Sequence, residues 1–254
     1  MPTYRAGRHE HGQNFLNDTA TVRTIVDAVG RTHGPLIEIG PGRGALTFEL
    51  QKLRRPLTVV EIDDRHARWL ASRLKNHVCV VNDDFIQWSL PAHRHVLVGN
   101  LPFHQTTAML RKMLHAPAWT DAVLLVQWEV ARRRAGIGGA TMMTAQWWPW
   151  MEFTVHQRVP SSAFTPRPSV DAGLLVMSRR TTPLLDRKHS RRYRQFVHAV
   201  FTGRGRGLPA ILSQVCAHKS IRAWLSRERI GASALPKDLS AGQWVELFSI
   251  AELS

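Results

Sequence analysis

The sequence predicts an α/β fold with a mostly parallel sheet, followed by a small all-helical region at the C-terminal end. Short apolar runs alternate with helix-like stretches over the first 180 residues, which is typical of parallel strands joined by right-handed crossovers. The runs are nearly continuous in Val, Ile and Leu, so we expect these strands to be buried on both faces. After Arg180 the strand pattern ends and helical periodicity takes over.

The elements follow in order from a predicted helix over 17–30, which Asn17 or Asp18 can cap and Gly30 can end. Seven strands are then predicted, at 35–40, 57–63, 77–81, 95–100, 122–127, 153–159 and 172–178. The C-terminal helices are predicted within 190–201, 208–228 and 241–253. A boundary near Thr182–Pro183 therefore divides an α/β domain, 1–182, from a basic helical domain, 183–254.

The charge of the chain predicts a polyanionic partner. Its 254 residues carry 34 Lys and Arg against 19 Asp and Glu, which gives a net charge of +15. A hydrophobic content of 44% excludes wholesale disorder, so the charge belongs to a folded surface. Between Arg180 and Arg229 there are twelve Lys or Arg and two acids. Nucleic acid is the expected partner of such a segment, so we expect 183–254 to bind nucleic acid.

Several other classes of protein are excluded by composition. The two cysteines, Cys79 and Cys216, are too few for a disulfide scaffold, and Cys79 lies in an apolar run that predicts a buried thiol. No zinc-ligand spacing occurs, so we expect no metal. The absence of an 18-residue apolar run predicts no membrane span. The polar N-terminus is unlike a signal peptide, so we expect a cytoplasmic location.

A glycine-rich turn after the first strand predicts a nucleoside-cofactor site. Gly40, Gly42 and Gly44 connect this strand to a helix, and Glu61 ends the next strand, where its carboxylate can accept hydrogen bonds from ribose hydroxyls. NAD is one candidate. However, the loop reads G-P-G-R-G, and the acid before it, Glu38, suits a ligand with an ammonium and a sulfonium, S-adenosylmethionine. Asp83 ends the third strand, where it can receive an adenine amino group.

The fourth strand ends in Asn100-Leu101-Pro102-Phe103, which predicts a site for an exocyclic amine on a planar base. The Asn100 side-chain oxygen and the Leu101 carbonyl can accept the two N–H bonds of the amine. Pro102 restricts Leu101 to an extended conformation, and Phe103 can stack on the base. Catalysis would then consist of positioning and hydrogen bonding for in-line methyl transfer.

These motifs resemble those of the Erm family of ribosomal RNA adenine N6-methyltransferases, which is related to the KsgA-type dimethyladenosine transferases. The resemblance extends from about His11 to about Leu212 and is weak beyond that point. The motifs that carry it are GQNFL (12–16), EIGPGRG (38–44), VVEID (59–63), NDDF (82–85), NLPF (100–103), QWEVARRRAGIGGATMMTAQWWPW (127–150) and VPSSAFTPRPSVDAGLL (159–175). The block from 127 to 150 is more similar to the Erm branch than to the KsgA branch. The resemblance implies a Rossmann-like class I methyltransferase sheet of seven strands.

The resemblance also implies roles for individual residues. It implies that residues 1–182 form the catalytic domain, which binds the cofactor. The residues implied to contact the cofactor are Asn14, Leu16 and Gly42, together with Gly40 at its methionine end, Glu61 at its ribose and Asp83 at its adenine. For the target, it implies that Asn100 contacts the cofactor and the amine, that Phe103, where many relatives have Tyr, stacks on a flipped adenine, and that Phe164 covers the other face. Basic positions implied to hold RNA are Arg111, Arg132 and Arg133.

The implied function is methylation of one adenine in large-subunit (23S) ribosomal RNA, which gives resistance to macrolide, lincosamide and streptogramin B antibiotics. The expected partner is this RNA, and we expect a monomer. Three alternatives remain: a KsgA-type enzyme of the small subunit, a catalytically silent nucleic-acid-binding protein, and a DNA adenine methyltransferase. The last class usually has an Asn/Asp-Pro-Pro-Tyr/Phe loop, from which Leu101 departs.

Overall fold

A computed structural model describes residues 14–214 and 218–252 of the chain. The described residues form nine strands: β1 (Phe15–Leu16), β2 (Leu36–Ile39), β3 (Leu57–Glu61), β4 (Val78–Asn82), β5 (His95–Asn100), β6 (Trp119–Gln127), β7 (Met151–Val159), β8 (Phe164–Thr165) and β9 (Ala172–Arg179). Seven of them form one sheet in the order β4-β3-β2-β5-β6-β9-β7, and β1 pairs with β8. The seven predicted strands are therefore confirmed.

Ten α-helices accompany the strands within the described ranges: α1 (Thr19–Gly30), α2 (Thr47–Leu50), α3 (Asp64–Ala71), α4 (Thr106–His115), α5 (Trp128–Arg134), α6 (Met142–Trp147), α7 (Ser190–Thr202), α8 (Leu208–Leu212), α9 (His218–Arg227) and α10 (Ala241–Glu252). The Asp18 side chain caps α1, where it accepts hydrogen bonds from the amide of Thr21 at 2.7 Å and its hydroxyl at 2.5 Å. This cap confirms the predicted start of the helix.

The middle of the sheet is parallel and places its strand ends at one edge. β4, β3, β2, β5 and β6 pair in parallel, with Ile39 opposite both Val60 and Gly99. A Cβ atom at Gly99 would lie 2.6 Å from the Ile39 carbonyl oxygen, so only glycine fits between β2 and β5 at this point. The central strands are buried on both faces, as predicted from their composition.

The prediction of a buried thiol at Cys79 is wrong, because Cys79 is exposed. It lies on β4, whose residues are all either half-buried or exposed. β4 is the terminal strand of the sheet order, and an apolar run on an edge strand remains partly open to solvent. Cys216 lies outside the described residues.

The chain divides into two compact units, and each unit consists of two separate stretches of the chain. The first contains residues 1–131 and 155–177, and the second contains 132–154 and 178–254. This division differs from the expected boundary between 182 and 183. From 183 onward the described residues form helices and turns with no strand, as predicted.

Aromatic packing explains why 132–154 joins the C-terminal helices. The Tyr193 hydroxyl donates to the Ala145 carbonyl at 2.9 Å, and the Trp150 indole donates to the Leu185 carbonyl at 2.7 Å. The rings of Trp150 and Tyr193 meet edge to face at 5.6 Å, and both residues are buried. The helical region therefore shares its hydrophobic core with α6 and the turn after it.

Two further observations concern possible environments of the chain. None of the helices in residues 14–214 and 218–252 combines the length and apolar character needed to cross a bilayer. In the same ranges, His, Cys, Asp and Glu side chains do not assemble into groups of three or more that could hold a metal ion.

Candidate active site

A cavity of about 970 Å³, partly open to solvent, lies at the carboxyl edge of β2, β3, β4 and β5. Such an edge is where parallel α/β sheets bind ligands. The cavity brings together eleven residues selected from the sequence: Asn14, Leu16, Glu38, Gly40, Gly42, Glu61, Asp83, Asn100, Leu101, Pro102 and Phe103. All of them belong to the first compact unit.

The glycine-rich loop follows β2 and lines one side of the cavity. Gly40 and Gly42 have φ of +62° and +53°, values that L side chains rarely adopt. A Cβ atom at Gly42 would also lie 2.9 Å from Cε1 of Phe15 on β1. Glycine is therefore needed at position 42 for two reasons, the positive φ of its backbone and the Phe15 ring packed against it. No Cβ atom stands between this loop and a ligand at either position.

Glu61 is fully buried at the end of β3, and backbone amides fix both of its carboxylate oxygens. Oε2 accepts from the amide of Gly42 at 2.8 Å, and Oε1 accepts from the amide of Asp63 at 2.9 Å. Each carboxylate oxygen can accept a second hydrogen bond. Glu61 therefore joins the glycine loop to β3 while keeping the capacity to bind two ribose hydroxyls.

Glu38 on β2 is a second buried acid at the cavity. Among the described residues, its Oε2 atom has no hydrogen-bond partner. Burial, together with the nearby charge of Glu61, raises the pKa of Glu38 to about 8. At neutral pH the carboxyl group is therefore mainly protonated, and a cationic ligand in the cavity would favour its ionised form. An unsatisfied buried acid beside a glycine loop fits a ligand that carries an ammonium and a sulfonium.

Asp83 follows β4, and its amide donates to the Glu61 carbonyl at 3.1 Å. Two apolar residues at this end of the cavity, Ile62 and Phe85, were missed by the sequence analysis. Ile62 is 43% exposed directly after Glu61, and Phe85 is buried two residues after Asp83. An apolar side chain next to a strand-ending acid is a signal that could have identified them. Together they supply apolar surface suited to a planar base.

Asn100 ends β5 with a fixed side-chain amide. Its Nδ2 atom donates to the Asn14 carbonyl at 2.7 Å, which leaves the Asn100 Oδ1 atom as an acceptor. The Leu101 amide donates to the Leu125 carbonyl at 3.0 Å and so extends the ladder between β5 and β6. Among the described residues, none donates a hydrogen bond to Asn100 Oδ1 or to the Leu101 carbonyl. Two acceptors are therefore available at the cavity.

The turn after Asn100 is held at its far end. The Pro102 carbonyl accepts from the Gln105 amide at 3.0 Å and from the Thr106 hydroxyl at 3.1 Å. These bonds lead directly into α4. Phe103 is half-buried against the core and lines the cavity. The loop thus presents an aromatic side chain from a rigid turn.

The N-terminal segment reaches the cavity through a short sheet that the sequence analysis did not predict. Phe15 pairs with Thr165 and Leu16 with Phe164, in antiparallel orientation. The Asn17 amide donates to the Ala163 carbonyl at 2.9 Å, which continues the attachment. This pairing positions Asn14 beside Asn100. The first two residues of the GQNFL motif lie outside the described residues.

Phe164 does not occupy the expected position. Its side chain is 2% exposed, packs in the hydrophobic core and does not line the cavity. In this structure the Phe164 ring therefore packs in the core beside the pairing of β8 with β1, and its contact with a base stays a prediction. The prediction followed motif position alone, which gives no information on the direction of the side chain.

The three predicted RNA-contacting arginines do not line the cavity. Arg111 is exposed on α4 in the first compact unit. Arg132 and Arg133 lie on α5 and belong to the second unit. Arg132 Nη1 donates to the Ile137 carbonyl at 3.2 Å, so its side chain also stabilises the glycine-rich turn that follows.

Comparisons with known proteins agree with this geometry. Residues 5–253 match the family model described as ribosomal RNA adenine dimethylase. The chain is 54% identical over 220 residues to an rRNA adenine N-6-methyltransferase of Corynebacterium diphtheriae, which covers 86% of this chain and 87% of the relative. It is 46% identical to the mycinamicin-resistance protein MyrB of Micromonospora griseorubida, and the match covers 96% of this chain and 79% of MyrB. The crystal structure of the 23S rRNA methyltransferase ErmE superposes with a TM-score of 0.87 at 33% identity, covering 94% of this chain and all of that one.

Proposed function

Because the chain belongs to the ribosomal RNA adenine dimethylase family, we propose that it methylates N6 of one adenine in large-subunit ribosomal RNA, using S-adenosylmethionine. The observation that carries the proposal is the fixed amide of Asn100 in one cavity with the buried carboxylate of Glu61. The structural similarity to the 23S rRNA methyltransferase ErmE favours the large subunit over the small one.

The residues of the cavity fit this cofactor. The glycine loop allows close approach of a ligand to its backbone, and the orphaned Oε2 of Glu38 suits a cationic methionine end. Glu61 would accept the ribose hydroxyls, and Asp83 would accept the adenine amino group between Ile62 and Phe85. Asn14 and Leu16 would close the cavity from the N-terminal side. When bound, S-adenosylmethionine supplies an electrophilic methyl group on a positively charged sulfur.

The reaction loop would position the target amine. Asn100 Oδ1 and the Leu101 carbonyl would accept the two N–H bonds of N6, which orients its lone pair toward the methyl group. Phe103 would stack on the adenine, which must leave its helix because N6 is otherwise hidden. The proton lost from N6 needs no buried base, since the methylated amine is strongly acidic before it loses that proton.

RNA affinity would come mainly from the second compact unit. This unit contains 17 Lys and Arg against 6 acids, whereas the first contains 17 against 13. The net charge of +11 therefore lies on the smaller unit, where it attracts phosphates without reading sequence. We further propose that the protein acts as a cytoplasmic monomer and confers resistance to macrolides, lincosamides and streptogramin B compounds by methylating their ribosomal site.

The test is transfer of labelled methyl from S-adenosylmethionine to protein-free large- and small-subunit ribosomal RNA in parallel. We expect N6-methylated adenosine at a single large-subunit position. Label confined to small-subunit RNA would indicate an enzyme of the small subunit instead. No label on either RNA would contradict methyl transfer and leave only RNA binding.

A further inference from the structure

A second groove lies beside the carboxyl end of β6 in the first compact unit. It encloses about 730 Å³, part of it open to solvent. Its lining residues are Gln127, Trp128, Glu129, Arg158, Ser169, Val170 and Asp171. None of them lines the cofactor cavity, and the roles proposed above leave the groove unused.

The groove is built around a fixed stack of two planar groups. The Arg158 guanidinium lies 5.2 Å from the centre of the Trp128 indole, and its Nε atom donates to Asp171 Oδ2 at 2.8 Å. Asp171 also accepts from the Ser161 amide at 2.9 Å. The Trp128 amide donates to the Asp171 carbonyl at 2.9 Å, so both planar groups are tied to one residue.

The stack also has a close-packed support. A Cβ atom at Gly173 on β9 would lie 3.2 Å from Cε3 of Trp128 and 2.6 Å from the Cβ atom of Ala131. The indole therefore rests on a backbone position that only glycine leaves free. The outer side of the stack is open, because the Arg158 side chain is 59% exposed.

The groove lies close to the reaction loop. Asn100 is opposite Leu125 in the pairing of β5 with β6, and Gln127 follows two residues later on β6. Strand geometry then puts the Cα atoms of Asn100 and Gln127 about 8 Å apart. This separation is comparable with the spacing of neighbouring nucleotides in an extended strand. The nucleotide next to an adenine bound in the reaction loop could therefore extend directly into the groove.

The chemistry of the groove suits a nucleobase and its phosphate. Indole and guanidinium planes both stack on bases, and this stacking tolerates any sequence. The guanidinium also supplies a charge for a phosphate, and Gln127 and Ser169 supply polar groups. Both acids of the groove, Glu129 and Asp171, already have partners in the protein, which limits their repulsion of an anion.

Resting on the proposed function, we propose that the Trp128–Arg158 groove binds the base of one nucleotide adjacent to the methylated adenine. Stacking there would hold the strand on one side of the flipped base. The groove would thereby keep the target in the reaction loop whatever the sequence beside it, while cofactor binding would not depend on the groove.

The test uses RNA hairpins that contain the mapped target adenine, with an abasic site at its 5′ or its 3′ neighbour. We expect one of the two abasic hairpins to lower kcat/KM of the wild-type protein by about tenfold. On intact RNA, Trp128→Ala should lower kcat/KM by a similar factor. On that abasic hairpin, kcat/KM of Trp128→Ala should be no lower than its value on intact RNA. Trp128→Phe should retain most of the activity, because an aromatic ring still supports the Arg158 guanidinium.

The matched control is Trp69→Ala on α3, where Arg73 covers the indole at 4.5 Å and neither cavity is lined by Trp69. This control should match wild type on all hairpins. Cofactor affinity and melting temperature are measured for each variant, and Arg158→Gln replaces Trp128→Ala if the latter does not fold. The inference is wrong if neither abasic site lowers kcat/KM of the wild-type protein. It is also wrong if an abasic site lowers kcat/KM of Trp128→Ala by the same factor as that of wild type. Failure of wild type to methylate any RNA would instead contradict the proposed function.

Discussion

The fold strongly alters the ionisation of Glu38, an acid that lines the cavity. Its pKa is raised to about 8 by burial, whereas an unfolded chain would titrate it near 4.5. Between these values the folded protein holds a proton that the unfolded chain releases. The free energy of unfolding contributed by this group therefore falls as pH rises from about 4.5 to 8, with a limiting slope of about 1.4 kcal/mol per pH unit.

The fall in the free energy of unfolding with rising pH gives a prediction for Glu38→Gln in the absence of ligand. The variant keeps a neutral side chain at every pH, so it should become more stable relative to wild type as pH increases from 5 to 8. Denaturant unfolding of both proteins across this range measures the difference. A constant difference would show that Glu38 is not held protonated in the folded protein.

Phe103 offers a second prediction at the scale of a residue. Its ring lines the cavity from a rigid turn, so Phe103→Ala should lower kcat/KM for RNA by about tenfold or more through lost stacking. Phe103→Tyr preserves the aromatic face and should retain near wild-type activity. Methyl transfer to ribosomal RNA, with cofactor affinity as a control, checks both. Equal losses in the two variants would argue against stacking.

Sequence position predicted side-chain chemistry better than side-chain direction. Glu61, Asn100 and Phe103 were placed correctly at the cavity because strand ends in a parallel sheet share one edge. Phe164 was not, since a motif does not reveal which face of a two-residue strand points inward. Cys79 was predicted to be buried because its apolar run does not distinguish an edge strand from a central one.

At the scale of elements, the glycine loop depends on β1. Gly42→Ala would force an unfavourable φ of +53° and a contact of 2.9 Å with Phe15, and so displace the segment that carries Asn14. We expect cofactor binding weaker by about tenfold, corresponding to about 1.4 kcal/mol. Gly30→Ala is the control, because its Cβ atom would meet nothing within 4 Å. Calorimetry with S-adenosylmethionine measures both affinities, and unchanged affinity in Gly42→Ala would contradict this coupling.

The pairing of β1 with β8 shows a limit of sequence reasoning about elements. Each strand has two residues, and the partners are separated by about 150 positions in the chain. Two residues are too few for a periodic pattern, and the pairing depends on how the remainder of the fold brings them together. The long strands and α1 were predictable because local periodicity and capping specify them.

At the scale of the whole molecule, residues 132–154 belong to the same compact unit as the C-terminal helices, and this affects how RNA binding can be tested. Deletion of 183–254 would remove Tyr193 and Leu185, the partners of Ala145 and Trp150, and so expose the aromatic core around α6. Loss of RNA binding in such a truncation would have no clear meaning. Surface charge reversal keeps the core intact and is the better experiment.

Arg204 and Arg206 are suited to this experiment. Both are exposed, and neither forms an ion pair with a described residue. Their loop is held by hydrogen bonds, because the Gln214 side chain donates to the Arg204 carbonyl at 2.5 Å and the Leu208 amide donates to the Ala234 carbonyl at 2.6 Å. Arg204→Glu with Arg206→Glu should reduce the slope of log affinity against log salt by about 1.5.

The control for this pair is Arg23→Glu with Arg31→Glu in the first unit, where both arginines are exposed and the change in net charge is the same. Filter binding to ribosomal RNA at several salt concentrations measures the slopes. Equal slopes in the two double variants would show that total charge, rather than this loop, governs RNA affinity.

The central claim is that the Asn100 loop methylates adenine N6, and single-turnover methyl transfer by Asn100→Ala at saturating cofactor and RNA tests it most directly. We predict a loss of at least a hundredfold in the rate, since the fixed acceptor for the amine is removed. The variant should keep its fold and its affinity for ribosomal RNA. A rate near that of wild type, with label still found as N6-methylated adenosine, would contradict the account.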